Sequence, residues 1–305
     1  GEPPAARRAD PIELPGDVTL ARAIAWIARA CLEQIGENAE LVATGEDPEA
    51  VHQMRVGIRR MRALVALVRL VLPSIRLGRL RGPLRGLAAL LGEVRDLDVF
   101  LDQRLAPQLL RHPEDPGLEG LGSAAVALRA ERREVLRATL RAPRTARLLL
   151  ELGHWIAKTE EQDLEGGDPS VALARLLRKA GKSASAAIEG SAIERHRLRI
   201  TLKKLRYASE FFRSLFAADR AKDAKRFLRR LARLQDWLGV QNDLATERQV
   251  LQQILDRAPP ELLPELSRSA GFLEGWSARG QEKASRKLAK KWARFESTQP
   301  FWVSE

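Results

Sequence analysis

The chain is 305 residues long, enough for one large domain or two halves that bury a sizeable core. Its 45% hydrophobic content excludes wholesale disorder, and a single cysteine, Cys31 in the apolar context "ARACLEQI", excludes a disulfide framework within the chain. The balance of 52 Lys and Arg against 40 Asp and Glu leaves a formal charge of +12, which favours polyanionic partners such as nucleic acid, anionic lipid or polyphosphate without choosing among them.

Leu and Ala dominate the apolar residues, with Arg and Glu between them and one Tyr in the whole chain. That is helix-forming composition, and no run alternates apolar and polar residues as a strand would, so the expected fold class is all-α. No apolar run reaches the roughly eighteen residues of a membrane span, and a cytoplasmic location is expected.

In chain order, residues 1–16, "GEPPAARRADPIELPG", are Pro-rich and expected to be disordered. Asp17 is a candidate cap for a helix running to about Gly45. Asp47 and Pro48 then form a cap-then-proline start for a helix ending at Leu72. Further helices are expected over 76–91, 96–110, 118–141 and 144–165, with Asp96 as an N-cap. Asp168–Pro169 repeats the cap-then-proline start. The second half reads as helices over 169–190, 192–216, 220–239, 243–257, 261–278 and 279–296, with Ser191 and Glu194 as a capping box and Asp243 as another N-cap. The expected organisation is one domain over 17–296, made of repeats 17–165 and 169–296, with a tail over 297–305.

The two halves echo one another. "HQMRVGIRRMRALVALVR" lies over "HRLRITLKKLRYASEFFR" at an offset of 144 residues, so that His52 meets His196, Arg55 meets Arg199, and Arg59–Arg60 meet Lys203–Lys204. Arg62 likewise meets Arg206, and Arg69 meets Arg213. Downstream, "LLGEVRDLD" recurs as "WLGVQNDLA", placing Gly92 over Gly239 and Asp96 over Asp243 after a three-residue insertion. So many matches in register identify an internal duplication.

On a helix, His52, Arg55, Arg59 and Arg62 fall within an arc of roughly 80° and span about 15 Å of axis. Val51, Met54, Ile58, Met61, Val65 and Val68 form the neighbouring apolar seam, so the cations lie at the margin of a packed face, stems on apolar surface and heads reaching out. A row of guanidinium groups suits phosphate, because each planar fork makes two parallel charge-assisted hydrogen bonds. Histidine donates to phosphate when neutral and adds charge when protonated. His196, Arg199, Lys203 and Arg206 repeat the pattern. A solvated face has no reason to keep this spacing twice. Arg69, Arg79, Arg213, Lys225, Arg226 and Arg229 form a secondary basic surface. Besides capping, Asp96 and Asp243 have an alternative role in orienting nearby arginines.

The doubled His-x-x-Arg-[Val/Ile]-x-x-basic-basic-x-Arg helix, each time followed by Leu-Gly-x-x-[Arg/Asn]-Asp, resembles the CHAD domain, the conserved histidine α-helical domain, over about 17–295. The resemblance implies two four-helix-bundle-like halves related by a pseudo-two-fold axis, with the basic helices facing a central groove or pore. It also implies binding of inorganic polyphosphate and association with polyphosphate granules. Carried over by position, the binding residues are His52, Arg55, Arg59, Arg60, Arg62, His196, Arg199, Lys203, Lys204 and Arg206. Many relatives carry in addition an N-terminal triphosphate-tunnel (CYTH) domain marked by Glu-x-Glu-x-Lys. That motif is absent from this sequence, so a stand-alone domain or a piece of a longer protein is expected.

Two rival functions are weaker. An enzyme acting on phosphate would need a carboxylate cluster for metal, a Gly-rich phosphate loop or an activated nucleophile. The sequence has neither G-x-x-x-x-G-K-[ST] nor H-E-x-x-H, and His112 and His154 stand alone. No catalytic residue, metal or cofactor is therefore expected. A nucleic-acid-binding protein is the alternative, but the stripes lack the interleaved aromatics that stack bases, so at most weak binding is expected there.

Overall fold

The structure, a computed structural model, describes residues 5–72, 77–162, 168–216, 218–279 and 287–303. All regular secondary structure among the described residues is helical, with no strand, in agreement with the all-α expectation. Residues 1–4 and 304–305, and the parts of expected helices that fall on 76, 163–165 and 280–286, lie outside them.

Helix α1 (Leu20–Thr44) is capped by Thr19, whose hydroxyl accepts from the Arg22 amide, and not by Asp17. Helix α2 (Pro48–Val71) starts as its sequence dictates: Asp47 accepts from the Glu49 amide and proline occupies the first turn. Val51, Met54, Ile58, Met61, Val65 and Val68 form its buried seam. A side chain at Gly57 would come within 2.9 Å of Ile35 Cγ1, so glycine there is what lets α1 and α2 approach so closely.

Helix α3 (Gly78–Val99) corrects the expected break before Asp96. It runs on through a π-helical turn (Phe100–Leu105) into Ala106–Leu109. Leu84, Leu87, Leu91, Val94 and Leu97 keep helical spacing across Gly92, so burial carries the helix past the glycine. Helices α4 (Pro116–Arg141) and α5 (Pro143–Glu160) complete the first half.

The second half has α6 (Pro169–Glu189) and α7 (Ala192–Phe212), the latter opened by the Ser191/Glu194 capping box. Helix α8 (Ala221–Leu255) again passes uninterrupted through the expected break, so Asp243 is not an N-cap either. Helices α9 (Leu263–Ala278) and α10 (Leu288–Glu296) follow.

The order of neighbours repeats: α1 packs on α2 and α2 on α3, as α6 packs on α7 and α7 on α8. The halves meet where α2 contacts α7 and where α4 contacts α9. The main hydrophobic core draws on both halves, from Ile24 and Met54 to Leu202 and Phe227. A second core, with Phe100, Leu121, Leu251 and Leu266, joins the far ends of α3 and α8 to α4 and α9.

Described segments near both termini pack on the main core. Residues 5–16, expected to be disordered, instead pack: Ile12 and Leu14 are buried, and the Leu14 amide donates to Ser214 Oγ at 2.8 Å. At the other end Phe301 and Trp302 are buried against Phe227, with ring centroids 5.9 and 5.0 Å away.

Candidate functional site

Where α2 crosses α7, with the start of α3 alongside, the surface opens into a cleft of about 670 Å³. Its charged lining is Arg59 and Arg62 from α2, Arg81 and Arg85 from α3, and Lys203 and Lys204 from α7, with His196 at one end. Among the described residues no carboxylate lines it. Ala63, Ala66, Arg81 and Lys204 are shared with an adjoining cleft of about 400 Å³ that adds Arg69, Arg175 and Lys179, so the basic surface continues toward α6.

The apolar seams dictate which cations reach this cleft. Burying Met54, Ile58 and Met61 turns Arg59 and Arg62 to one flank of α2; burying Leu198, Leu202 and Leu205 turns Lys203 and Lys204 outward from α7. Tyr207 ties the two helices together, since Arg59 Nε donates to its hydroxyl at 3.2 Å.

Crowding like charges has an electrostatic signature. Burial, then Arg199, Arg59, Arg55 and Arg206, push the Lys203 ammonium down to about 7. Burial also lowers Lys204, helped by Lys179, Arg62 and Arg81, and lowers Arg62, helped by Arg85. These groups repel one another, and a bound anion would relieve that repulsion.

Beside the cleft the charges are of mixed sign. Arg55 Nη1 donates to Asp96 Oδ1 at 3.1 Å and its guanidinium lies against Gly92, where an added side chain would sit 3.6 Å from Nη2. Asp243 faces Arg199 and also Arg104, 3.6 Å away, which projects from the π-helical turn and reaches Glu247 as well. Asp96 and Asp243 therefore orient arginines from within continuous helices. His52, half-buried, is shifted toward its neutral form by burial and then by Arg95.

Two residues of the expected binding set face elsewhere. Arg60 is buried: it donates to Gln34 Oε1 at 3.0 Å and lies over the Phe211 ring. Arg206 pairs with Glu210 at 3.1 Å. Of the secondary set, Arg69 lines the adjoining cleft and Arg213 is bonded to Glu13. Arg226 pairs with Asp223, while Arg79, Lys225 and Arg229 are exposed and line neither cleft. Sequence reasoning passed over Arg81, Arg85, Arg175 and Lys179. The i, i+4 spacing of Arg81 and Arg85 in "GRLRGPLRG" was the available signal, but nothing local to it shows that α3 leans over α2.

Among the described residues the fold is all-helical, and its basic concave surface lies where two helices cross. The CHAD domain model matches residues 27–252, and the chain belongs to that family. It is similar over 97% of its length to the crystal structure of the CHAD domain from the plant Ricinus communis, covering 98% of that chain at 29% identity and a TM-score of 0.80. It shares its fold with PptA from Streptomyces chartreusis (TM-score 0.63, 15% identity, 90% of this chain and 100% of that chain). No curated protein matches the sequence.

Proposed function

We propose that the α2/α7 cleft binds inorganic polyphosphate, the ligand with which CHAD domains are associated. The observation that carries the reading is that two helices 144 residues apart in sequence bring Arg59, Arg62, Lys203 and Lys204 to one surface without a carboxylate. Arg81, Arg85 and His196 complete the direct contacts. Arg55 and Arg199, held by Asp96 and Asp243, extend the positive field toward the interior. A linear polyphosphate repeats its charge along the chain, so an open groove can grip it in any register without base readout or a closed pocket. The role is binding without turnover, and it places the protein in the cytoplasm on polyphosphate granules. The reading includes an approximate two-fold relation between the halves, supported by their repeated neighbour order.

The test is a salt-titrated competition. Labelled long-chain polyphosphate is challenged with single- and double-stranded DNA at equal phosphate concentration. Polyphosphate should resist displacement at physiological salt, with affinity falling by about 0.7 log unit per log unit of salt for each phosphate neutralised, as for a single-stranded polyanion. Equal competition by DNA would return the cleft to a generic anion surface.

A further inference from the structure

Away from this site, α8 and α10 enclose a second open cleft of about 370 Å³. Arg230 and Arg233 project into it from α8, and Lys287, Lys290, Lys291 and Arg294 from α10 and its first flanking residue. Leu234 and Phe295 supply an apolar floor. The four cations of the α10 segment recur three and four residues apart and so share one face, while Leu288, Trp292 and Phe295 bury the other.

Two of the six are held in place. Arg230 Nη1 donates to the Arg294 carbonyl at 3.1 Å and to Thr298 Oγ1 at 2.8 Å, and Lys291 Nζ lies 6.0 Å from the centre of the Trp237 ring. Among the described residues no carboxylate lines the cleft and none forms an ion pair with these six side chains. Some arginines elsewhere do meet an acid: Arg132 meets Glu93 at 3.5 Å, Arg226 meets Asp223 at 3.7 Å and Arg248 meets Glu274 at 3.3 Å. Like charges on adjacent turns repel. Here the fold converges six of them on one concavity.

We propose that the α8/α10 cleft is a second anion site, taking a short run of condensed phosphate. Its existence rests on this cleft; the ligand class rests on the reading of the α2/α7 cleft. Arginine forks and lysine ammonium groups around a shallow apolar floor suit consecutive phosphates, whose charge density can satisfy several cations at once. With two such sites one molecule engages polyphosphate on two faces, and a long chain is held by avidity, or two chains are bridged.

Titration calorimetry with tripolyphosphate, too short to bridge the sites, counts them. The wild-type chain should take up two equivalents. The variant Arg233→Gln/Lys287→Gln/Lys290→Gln, which changes solvent-facing residues and spares Arg230, should take up one. The variant Arg59→Gln/Lys203→Gln should also take up one, through the remaining cleft, with unchanged helical circular dichroism in both. Wild-type uptake of one equivalent that is lost in the Arg59/Lys203 variant would overturn the second site, as would two equivalents persisting in the triple variant. If the Arg59/Lys203 variant kept two equivalents while the triple variant lost one, the second site would stand and the α2/α7 reading would fall.

Discussion

The two flanks of the α2/α7 crossing are built from the same repeated residues and do different things. Arg62 and Lys204 share the open cleft, whereas their register partners Arg206 and Arg60 share the opposite side. There Glu210 sits among Arg206, Arg60 and Arg213, and Glu13 bonds Arg213. The N-terminal segment, with Leu14 anchored on Ser214, covers that side. One flank thus leaves its cations without carboxylates, and the other answers them with acids from the chain itself. The register partner of Glu210 on α2 is Ala66, which lines the open cleft and offers no charge. A duplicated stripe is therefore not a duplicated site: what covers each flank decides which copy of a residue is available.

The largest expected effect comes from the two positions that both halves contribute to the cleft. Reversing Arg59 and Lys203 together to Glu should weaken polyphosphate binding by at least about 3 kcal/mol, roughly a hundredfold, with helical circular dichroism unchanged. A smaller effect would mean that the crossing is not where the polyanion sits.

Next, neighbouring residues on α2 should separate binding from stability. Arg62→Gln should reduce affinity by about tenfold and leave the thermal midpoint in place. Arg60→Gln should leave affinity unchanged and lower stability by about 1–3 kcal/mol, because it disturbs the donor to buried Gln34. Paired melting and binding curves decide; matching effects at both positions would erase the contrast between the flanks.

Lys203 should also give the cleft a pH response. With Lys203 held down to about 7, the free protein carries it neutral above that pH while the unfolded chain keeps its proton. Stability of the free protein should accordingly rise as pH climbs above 7. A bound polyanion favours the ammonium, so binding should take up as much as one proton, and affinity should fall by less than about tenfold per pH unit. Calorimetry at about pH 8 in buffers of different ionisation enthalpy reads the uptake, and Lys203→Arg should remove it. Flat affinity from about pH 7 to pH 9 in the wild type would contradict this assignment.

The smallest effect belongs to the covered flank. Glu13→Gln with Glu210→Gln should raise affinity at low salt by no more than about threefold, since exposed pairs are worth about 0.2–1 kcal/mol. A much larger gain would show that these acids alone close that side to polyanions.

Much of this protein was legible in one dimension. Helical periodicity, the proline-led caps at Asp47 and Asp168 and the Ser191/Glu194 box follow from local backbone chemistry, and the structure carries each of them. The recurrence of apolar seam and charge at an offset of 144 residues was legible too. The misplaced breaks at Asp96 and Asp243 share one cause. A glycine followed by an acid looks like a helix end, yet Leu87, Leu91 and Val94 on α3, and Leu234 and Leu238 on α8, are buried firmly enough to carry each helix through, and the carboxylates face arginines from other helices.

By itself, then, the sequence determined the fold class, the helical segments and the cations at the margin of each seam, since propensity, capping and amphipathicity act within a few turns of chain. Which cations share a surface was decided only in three dimensions. Arg81 and Arg85 join the cleft because α3 packs beside α2, and Arg60 leaves it because Gln34 and Phe211 enclose it. The N-terminal segment closes one flank because Ile12 and Leu14 find buried positions there. Coulomb interactions between residues far apart in the chain depend on distance and burial, and both are set by how the helices cross and not by the order of the residues.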